Sequence, residues 1–491
     1  MSFAQLRSQM TRRKPLSEVE DEAAAADEQL ARSLGLWQLT AIGVGGIIGA
    51  GIFTLAGAVA HSVTGPSVLI SFLIAGVASG AAALCYAEFA GMVPKAGSAY
   101  TYGYVSLGEI AGWFIGWDLL LEYIAVAAVV AIGVSGYFKF LLEQVDITLP
   151  DWMMGASGTG EGHVIDVFAV LFCLGTAWLL SRGIRSVGRF ETVAVGIKVA
   201  LVVLIVVLGV FHIDSSNYTP YFPFGAGAVW TGAATVFFAV FGYDAMSTAA
   251  EESTEGKKHL PKAIIYSLAI AMVLYVLATL VLTGMQKYTE ISPTSGFSTA
   301  FESVGQPGVA NIIAVGAIVG IVTVVLTFML GVTRVWFAMS RDGLLPEWFA
   351  KTHPVRKVPT RVTWIVGIGS ALMAGLLDIT VVAELTNIGI LMAFIVVSVA
   401  VIVLRRTRPE EPREFRLPFM PVVPLIGIGF SLYLIWSLPW ETWARFASWL
   451  VVGLIVYFAY SRTHSMLARP GAVTHPATGL VRRTGGARRR R

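Results

Sequence analysis

Apolar residues come along this chain in long blocks, without the period-two alternation of half-buried strands. Blocks of roughly 20 apolar residues, the length that crosses a bilayer, begin near Leu36, Ser67, Ile110, Val164, Thr192 and Val229. More begin near Ala263, Val309, Val362, Val381, Val422 and Trp443. The pattern predicts an all-α integral membrane protein of about twelve spanning helices. Hydrocarbon offers no partners for backbone polar groups, so each block must satisfy them within itself. Spans of a β-barrel would need alternating segments, which the sequence lacks. An even number of spans puts both ends of the chain on one side.

Basic residues give the side independently, because Lys and Arg collect in short cytoplasmic loops. One set of connections carries Arg182, Arg185 and Arg189, then Lys257, Lys258 and Lys262. It continues with Arg341, Lys351, Arg356, Lys357 and Arg361, and then Arg405, Arg406 and Arg408. The other set has Lys287 as its main base. Arg12, Arg13 and Lys14 at the start, and Arg488 to Arg491 at the end, join the basic side, so cytoplasmic termini in a bacterial-type plasma membrane are expected.

Composition excludes several classes. Charged residues make up 13% of the chain and hydrophobic ones 56%, too few polar groups to cover a soluble fold. The net charge of +4 sits in loops and tails rather than on one folded face, which argues against nucleic acid. The terminal Arg run reads as a solvated disordered tail, with contact to anionic lipid as the alternative. Cys85 and Cys173 lie in apolar runs and are expected as free thiols, with no metal spacing. The stretch through Glu18, Glu20, Asp21, Glu22, Asp27 and Glu28 is too acidic for a secretory signal, so the first span is expected to direct insertion. No catalytic pair lies in a domain outside the membrane, and the outer loops at 144–162 and 286–308 are too short to make one.

Two spans are built to break. The first reads Gly43-Val44-Gly45-Gly46-Ile47-Ile48-Gly49-Ala50-Gly51-Ile52-Phe53, and glycine frees backbone to leave the helix and lets a ligand approach N–H groups. Gly45 and Gly49 also form a GxxxG packing pair, the structural alternative. The sixth span carries Phe237 to Ser247 with Asp244 at membrane depth. Two broken spans five helices apart mark inverted repeats, in which half-helix N-termini face an anion and freed carbonyls face a cation. The α-carboxylate and α-ammonium of an amino acid match that polarity.

On these residues the chain resembles the amino acid-polyamine-organocation superfamily, and within it the cationic amino acid transporter branch. The motifs are Gly46-Ile47-Ile48-Gly49, Tyr86-Ala87-Glu88-Phe89, and Pro94-Lys95-Ala96-Gly97-Ser98-Ala99-Tyr100. Gly116-Trp117-Asp118 with Glu122, Phe241-Gly242-Tyr243-Asp244, and Ser340-Arg341-Asp342-Gly343-Leu344-Leu345-Pro346 complete the set. The resemblance implies a leucine-transporter-like fold of two inverted five-helix repeats plus two C-terminal helices. The expected units are a tail at 1–35, repeats at 36–212 and 226–404, helices at 421–461 and a basic tail at 462–491. It also implies that Ile47, Gly49, Ala50 and Gly51 hold the carboxylate, and that Phe238, Ala239 and Phe241 hold the ammonium. Related carriers often have a hydroxyl residue where Ala50 stands, which leaves the carboxylate here to backbone N–H groups.

Ionisable groups inside spans are costly and are functional candidates. Lys198 lies well inside the fifth span; snorkelling to the interface is the structural alternative. In sodium-coupled relatives a metal ion sits between the first and eighth helices. The resemblance puts the Lys198 ammonium there, which implies that a proton, rather than a metal or an organic cofactor, couples transport. Asp118 and Glu122 share one helix face. Asp118 is expected as a structural acceptor, and Glu122 as either a selector of basic side chains or a helix-packing group. Asp244 is expected to anchor freed backbone, and Glu88 to pair with a loop base when the inner side is closed. The function expected is proton-coupled amino acid uptake by alternating access, including cationic substrates such as arginine or lysine. An exchanger of amino acids or polyamines and a non-transporting amino acid sensor are the alternatives. Selectivity and oligomeric state are not legible in the sequence.

Overall fold

The computed structural model describes residues 11–12, 34–92, 98–182, 187–247, 253–351, 353, 358–468, 472–474 and 481–483. Arg13, Lys14, the acidic stretch from Glu18 to Glu28, Pro94, Lys95, Ala96, Gly97, Arg185, Arg356, Lys357 and the final Arg run lie outside them. Seven described helices are long and apolar enough to cross a membrane, and four shorter apolar ones accompany them. The run Leu36–Met92 doubles back at Gly65 (φ +65°) and so holds two spans. Thr64 faces Gly232 and Ser71 bonds the Val229 carbonyl beside that turn, whereas Gly51 faces Ala239 and Ser79 bonds the Val240 carbonyl deeper in.

The first span starts at Leu36–Ile47 and the second is Val68–Met92. Glu109–Glu143, Val167–Ser181 and Val187–Gly209 are the third to fifth. The sixth opens with Ala228–Val236, and Gly256–Met285 is the seventh. Pro307–Arg341, Thr360–Leu376 and Ile379–Thr407 follow as eighth to tenth, then Val422–Trp436 and Trp440–Val456. The most extensive helix contacts join third to eighth, second to seventh and fourth to ninth. A constant separation of five is what two interleaved five-span repeats produce.

The end of the bundle that carries the basic loops is tied by buried carboxylates. Glu88 accepts from Arg405 Nε (2.7 Å) and Nη2 (2.6 Å), from Arg413 Nε (3.1 Å) and from the Leu417 amide (2.9 Å). Arg405 belongs to the last turn of the tenth span and Arg413 to the loop that follows it, so Glu88 meets one helix base and one loop base. Both Glu88 and the Arg413 side chain are 2% exposed. Removing one partner of a buried pair costs about 3–5 kcal/mol, so Glu88→Ala is expected to lower the thermal midpoint in detergent by several degrees. An unchanged midpoint would show that the arginines find other acceptors.

The twelfth span is not loosely attached. Trp117 donates its indole N–H to the Trp449 carbonyl (2.9 Å) and Trp449 returns the bond to Trp117 (3.0 Å). Beyond it, the start of the basic tail expected from 462 is packed against the bundle. Ser465 is buried and donates to Glu109 Oε2 (2.6 Å), while Tyr457 donates to Glu109 Oε1 (3.0 Å). Glu109 is fully buried, and an acceptor there needs donors, so the chain leaving the twelfth span folds back to supply one. Farther on, Ala472–Thr474 and Val481–Arg483 pair as a short antiparallel ladder. The Glu255–Lys258 pair (3.1 Å) is exposed, and it holds the Glu255 carboxyl below its ordinary range.

At the opposite end, the connection from the seventh to the eighth span carries a short helix, Gly296–Ser303. It seats Phe297 edge-on against Phe53 (6.4 Å between ring centres). A Cβ at Gly136 of the third span would meet Thr294 at 2.6 Å. This connection therefore lies against the second half of the first span, beyond its break.

Candidate functional site

The first span breaks where its glycines cluster. Helix Leu36–Ile47 ends at Ile48, whose backbone is extended (φ −73°, ψ 106°). The chain resumes through a π-helical turn, Gly51–Leu55. The first intrahelical bond of the new segment is Phe53 N–H to Gly49 C=O (3.3 Å). The N–H groups of Ala50, Gly51 and Ile52 precede it and have no acceptor within their own helix, which makes that end attractive to an anion. The sixth span narrows to a 3-10 turn, Phe237–Val240, and opens at Phe241 and Gly242 (φ +113°) before helix Tyr243–Ser247.

The two breaks lie against each other. A Cβ on Gly46 would stand 2.7 Å from the Gly242 carbonyl oxygen, and one on Gly51 would stand 2.4 Å from Ala239 Cα. Gly49 meets Val324 of the eighth span and Gly45 meets Val195 of the fifth in the same fashion. The glycine cluster therefore both unwinds the helix and admits close neighbours; unwinding and packing are not alternatives here.

Breaking a helix inside a membrane frees carbonyls that need donors. Five different helices provide them. Tyr275 of the seventh span donates to Ile47 O (2.7 Å), and Ser79 of the second to Val240 O (2.6 Å). Tyr137 of the third donates to Phe53 O (2.5 Å), and Asn387 of the tenth to Ala234 O (2.7 Å) and Thr235 O (3.1 Å). The fifth span contributes Lys198, whose ammonium donates to Gly45 O (2.5 Å) and Ile48 O (3.0 Å). Lys198 is fully buried, and a Cβ on Gly320 of the eighth span would lie 2.8 Å from its Cγ. Lys198 thus stands between the first and eighth helices and does not snorkel. Sequence reasoning missed Tyr275, Ser79, Tyr137 and Asn387; their signal was an isolated polar group inside an apolar block.

Three acids gather beside the sixth-span break. Asp244 accepts the Tyr123 hydroxyl (2.5 Å). Glu122 lies within electrostatic reach of Asp244 and Asp118. Its Oε2 is buried without a hydrogen-bond partner among the described residues. Asp118, expected as a structural acceptor, is fully buried, and both its oxygens are without a hydrogen-bond partner among the described residues. A Cβ on Gly389 of the tenth span would come within 2.8 Å of its Oδ1, so close backbone approach rather than a donor faces it. Phe238, Phe241 and Phe328 adjoin as an aromatic wall, with ring centres 5.5 Å apart in sequence around the break. These acids are not placed to hold a metal ion together, and neither is any other group of three His, Cys, Asp or Glu among the described residues.

Among the described residues, the apolar spans, two of them interrupted and crossed at their interruptions, define a multi-span membrane carrier. The amino acid permease family matches residues 34–460, and the chain belongs to it, within the amino acid-polyamine-organocation superfamily. It is 45% identical to the methylthioribose transporter of Bacillus subtilis over 94% of this chain and 99% of that one. It is 43% identical to the branched-chain amino acid permease BcaP of the same organism, over 91% and 96%. A vacuolar cationic amino acid transporter 4 of Arabidopsis thaliana is 35% identical over 82% of this chain and 68% of its own length.

Proposed function

We propose that this permease takes up an amino acid together with a proton by alternating access, with both termini in the cytoplasm. The observation that supports it best is the Lys198 ammonium, fully buried and bonded to Gly45 O and Ile48 O at the first-span break. A cation there holds the inner half of the first span in place. The same ammonium carries the proton and bonds Gly45 O and Ile48 O, so in this reading proton release and movement of that half-helix are one event. The carboxylate of the substrate is read by the N–H groups of Ala50, Gly51 and Ile52, beside Ile47 and Gly49. Its ammonium is read by carbonyls near Phe238, Ala239 and Phe241.

Side-chain selection falls to the region of Glu122. Its buried, unpartnered Oε2 favours a basic side chain, whereas Phe238, Phe241 and Phe328 favour an apolar one. The relatives' names divide along the same line and add a thioether sugar. The test is a thermal-shift screen of the purified protein against all amino acids and methylthioribose, followed by liposome uptake under an imposed pH gradient. Stabilisation by an amino acid and accumulation that follows the gradient are expected; uptake that needs internal substrate and ignores the gradient would mean exchange instead. In the same liposomes Glu122→Gln is expected to lower lysine uptake relative to alanine uptake by about tenfold, the size of a lost charge-assisted contact. Equal changes in both would assign Glu122 to helix packing.

A further inference from the structure

The sequence places no hydroxyl at Ala50, yet a hydroxyl stands one helical turn further on. Thr54 is fully buried, and its Oγ1 has no hydrogen-bond partner among the described residues. Buried threonines in helices ordinarily return the hydroxyl to a carbonyl one turn back. Thr40, Thr176, Thr283 and Thr386 all do so, to Leu36, Phe172, Thr279 and Val382 at 2.8–3.0 Å. Thr54 lies in the π-helical turn Gly51–Leu55, and it alone among the buried threonines described here has an orphan hydroxyl.

The hydroxyl lies on the helix face that Ala50 presents at the break. Cα–Cβ bonds in a helix tilt toward its N-terminus, and Thr54 is the fifth residue of the segment that begins at Ala50. One glycine on the third span confirms the shared face: a Cβ at Gly133 would lie 2.8 Å from Thr54 Oγ1 and 3.3 Å from Ala50 Cβ. Gly133 has no side chain to fill that notch or to bond the hydroxyl. An orphan buried donor costs stability, so its persistence calls for a partner that comes and goes.

We propose that Thr54 is a substrate-binding residue whose hydroxyl donates to the α-carboxylate, alongside the N–H groups of Ala50, Gly51 and Ile52. This assignment rests on the amino acid reading above. It supplies from the next turn the side-chain contact that Ala50 lacks. Because the carboxylate is common to all amino acids, Thr54 sets head-group affinity rather than side-chain choice.

The experiment compares wild type, Thr54→Val and Thr54→Ser, titrated with the amino acid that most stabilises the wild type and with its decarboxylated amine. Valine keeps the shape and removes only an unpartnered hydroxyl, so Thr54→Val is expected to fold as stably as wild type. It is expected to bind the amino acid about tenfold more weakly, the loss of one hydrogen bond to a charged group, with affinity for the amine unchanged. Thr54→Ser is expected to bind the amino acid like wild type. Equal affinity of Thr54→Val and wild type for the amino acid would overturn the proposal, as would an equal fall for amino acid and amine. A wild type that binds no amino acid would overturn the reading on which it rests, and that result precedes any variant.

Discussion

Lys198→Met is expected to abolish accumulation driven by an inward proton gradient while leaving a folded protein. Methionine matches the length of the stem that lies against Gly320, so packing between the fifth and eighth helices is retained. What disappears is the ammonium that donates to Gly45 O and Ile48 O. Two buried carbonyls then lose a donor, at about 1–3 kcal/mol each, so a lower thermal midpoint accompanies the loss of function. Uptake in liposomes under an imposed pH gradient is the deciding measurement, with detergent chromatography showing that the variant is intact. Undiminished proton-driven uptake would remove Lys198 from the coupling role. Survival of counterflow alone would place the lysine in energy coupling and not in substrate recognition.

Gly242→Ala is the second large effect. Gly242 has φ +113°, a conformation that an L side chain adopts only with strain. Its Cβ would lie 2.6 Å from both C and O of Gly46 and 3.0 Å from Ile47 N. Those atoms are backbone of the other broken helix and have no rotamer to escape into. Backbone strain of about 1–3 kcal/mol adds to overpacking of about 1–3 kcal/mol. The variant is therefore expected to lose most of its transport and to unfold at clearly lower temperature. Gly80→Ala in the second span is the control, since a Cβ there meets nothing within 4 Å and alanine suits a helix better. If Gly242→Ala behaves like Gly80→Ala, the two breaks do not touch as described.

Both expectations concern the same crossing, which explains the unusual demands on its neighbours. A helix that opens in hydrocarbon must be re-satisfied from outside itself. Tyr275, Ser79, Tyr137, Asn387 and Lys198 do this from five helices. Lys198 differs from the other four in being an ammonium rather than a neutral donor. The proposed coupling rests on that difference: four neutral donors and one ammonium hold the freed carbonyls of the two breaks.

Much of this was legible in one dimension. Span positions follow from unbroken apolar blocks, because a bilayer imposes one length and one backbone solution on every crossing segment. The break in the first span follows from five glycines within nine residues, and the cost of charge in a membrane marks Lys198, Glu122, Asp118 and Asp244 without any coordinates. Glu88 was also placed near a base, since a carboxylate at the end of a span needs one.

Tertiary structure decided which of these groups meet. Nothing in the spacing of Thr54 and Gly133, or of Asn387 and Ala234, brings them together; only the crossing of separate helices does. The same holds for Asp118, whose surroundings depend on how closely Gly389 approaches, and for Ser465, which the twelfth helix delivers to Glu109. Local physics sets each helix and each break, because backbone polar groups and hydrophobic length act within about twenty residues. Partnership depends on the packing of helices hundreds of residues apart in the chain, and a sequence carries that information only in its three-dimensional solution.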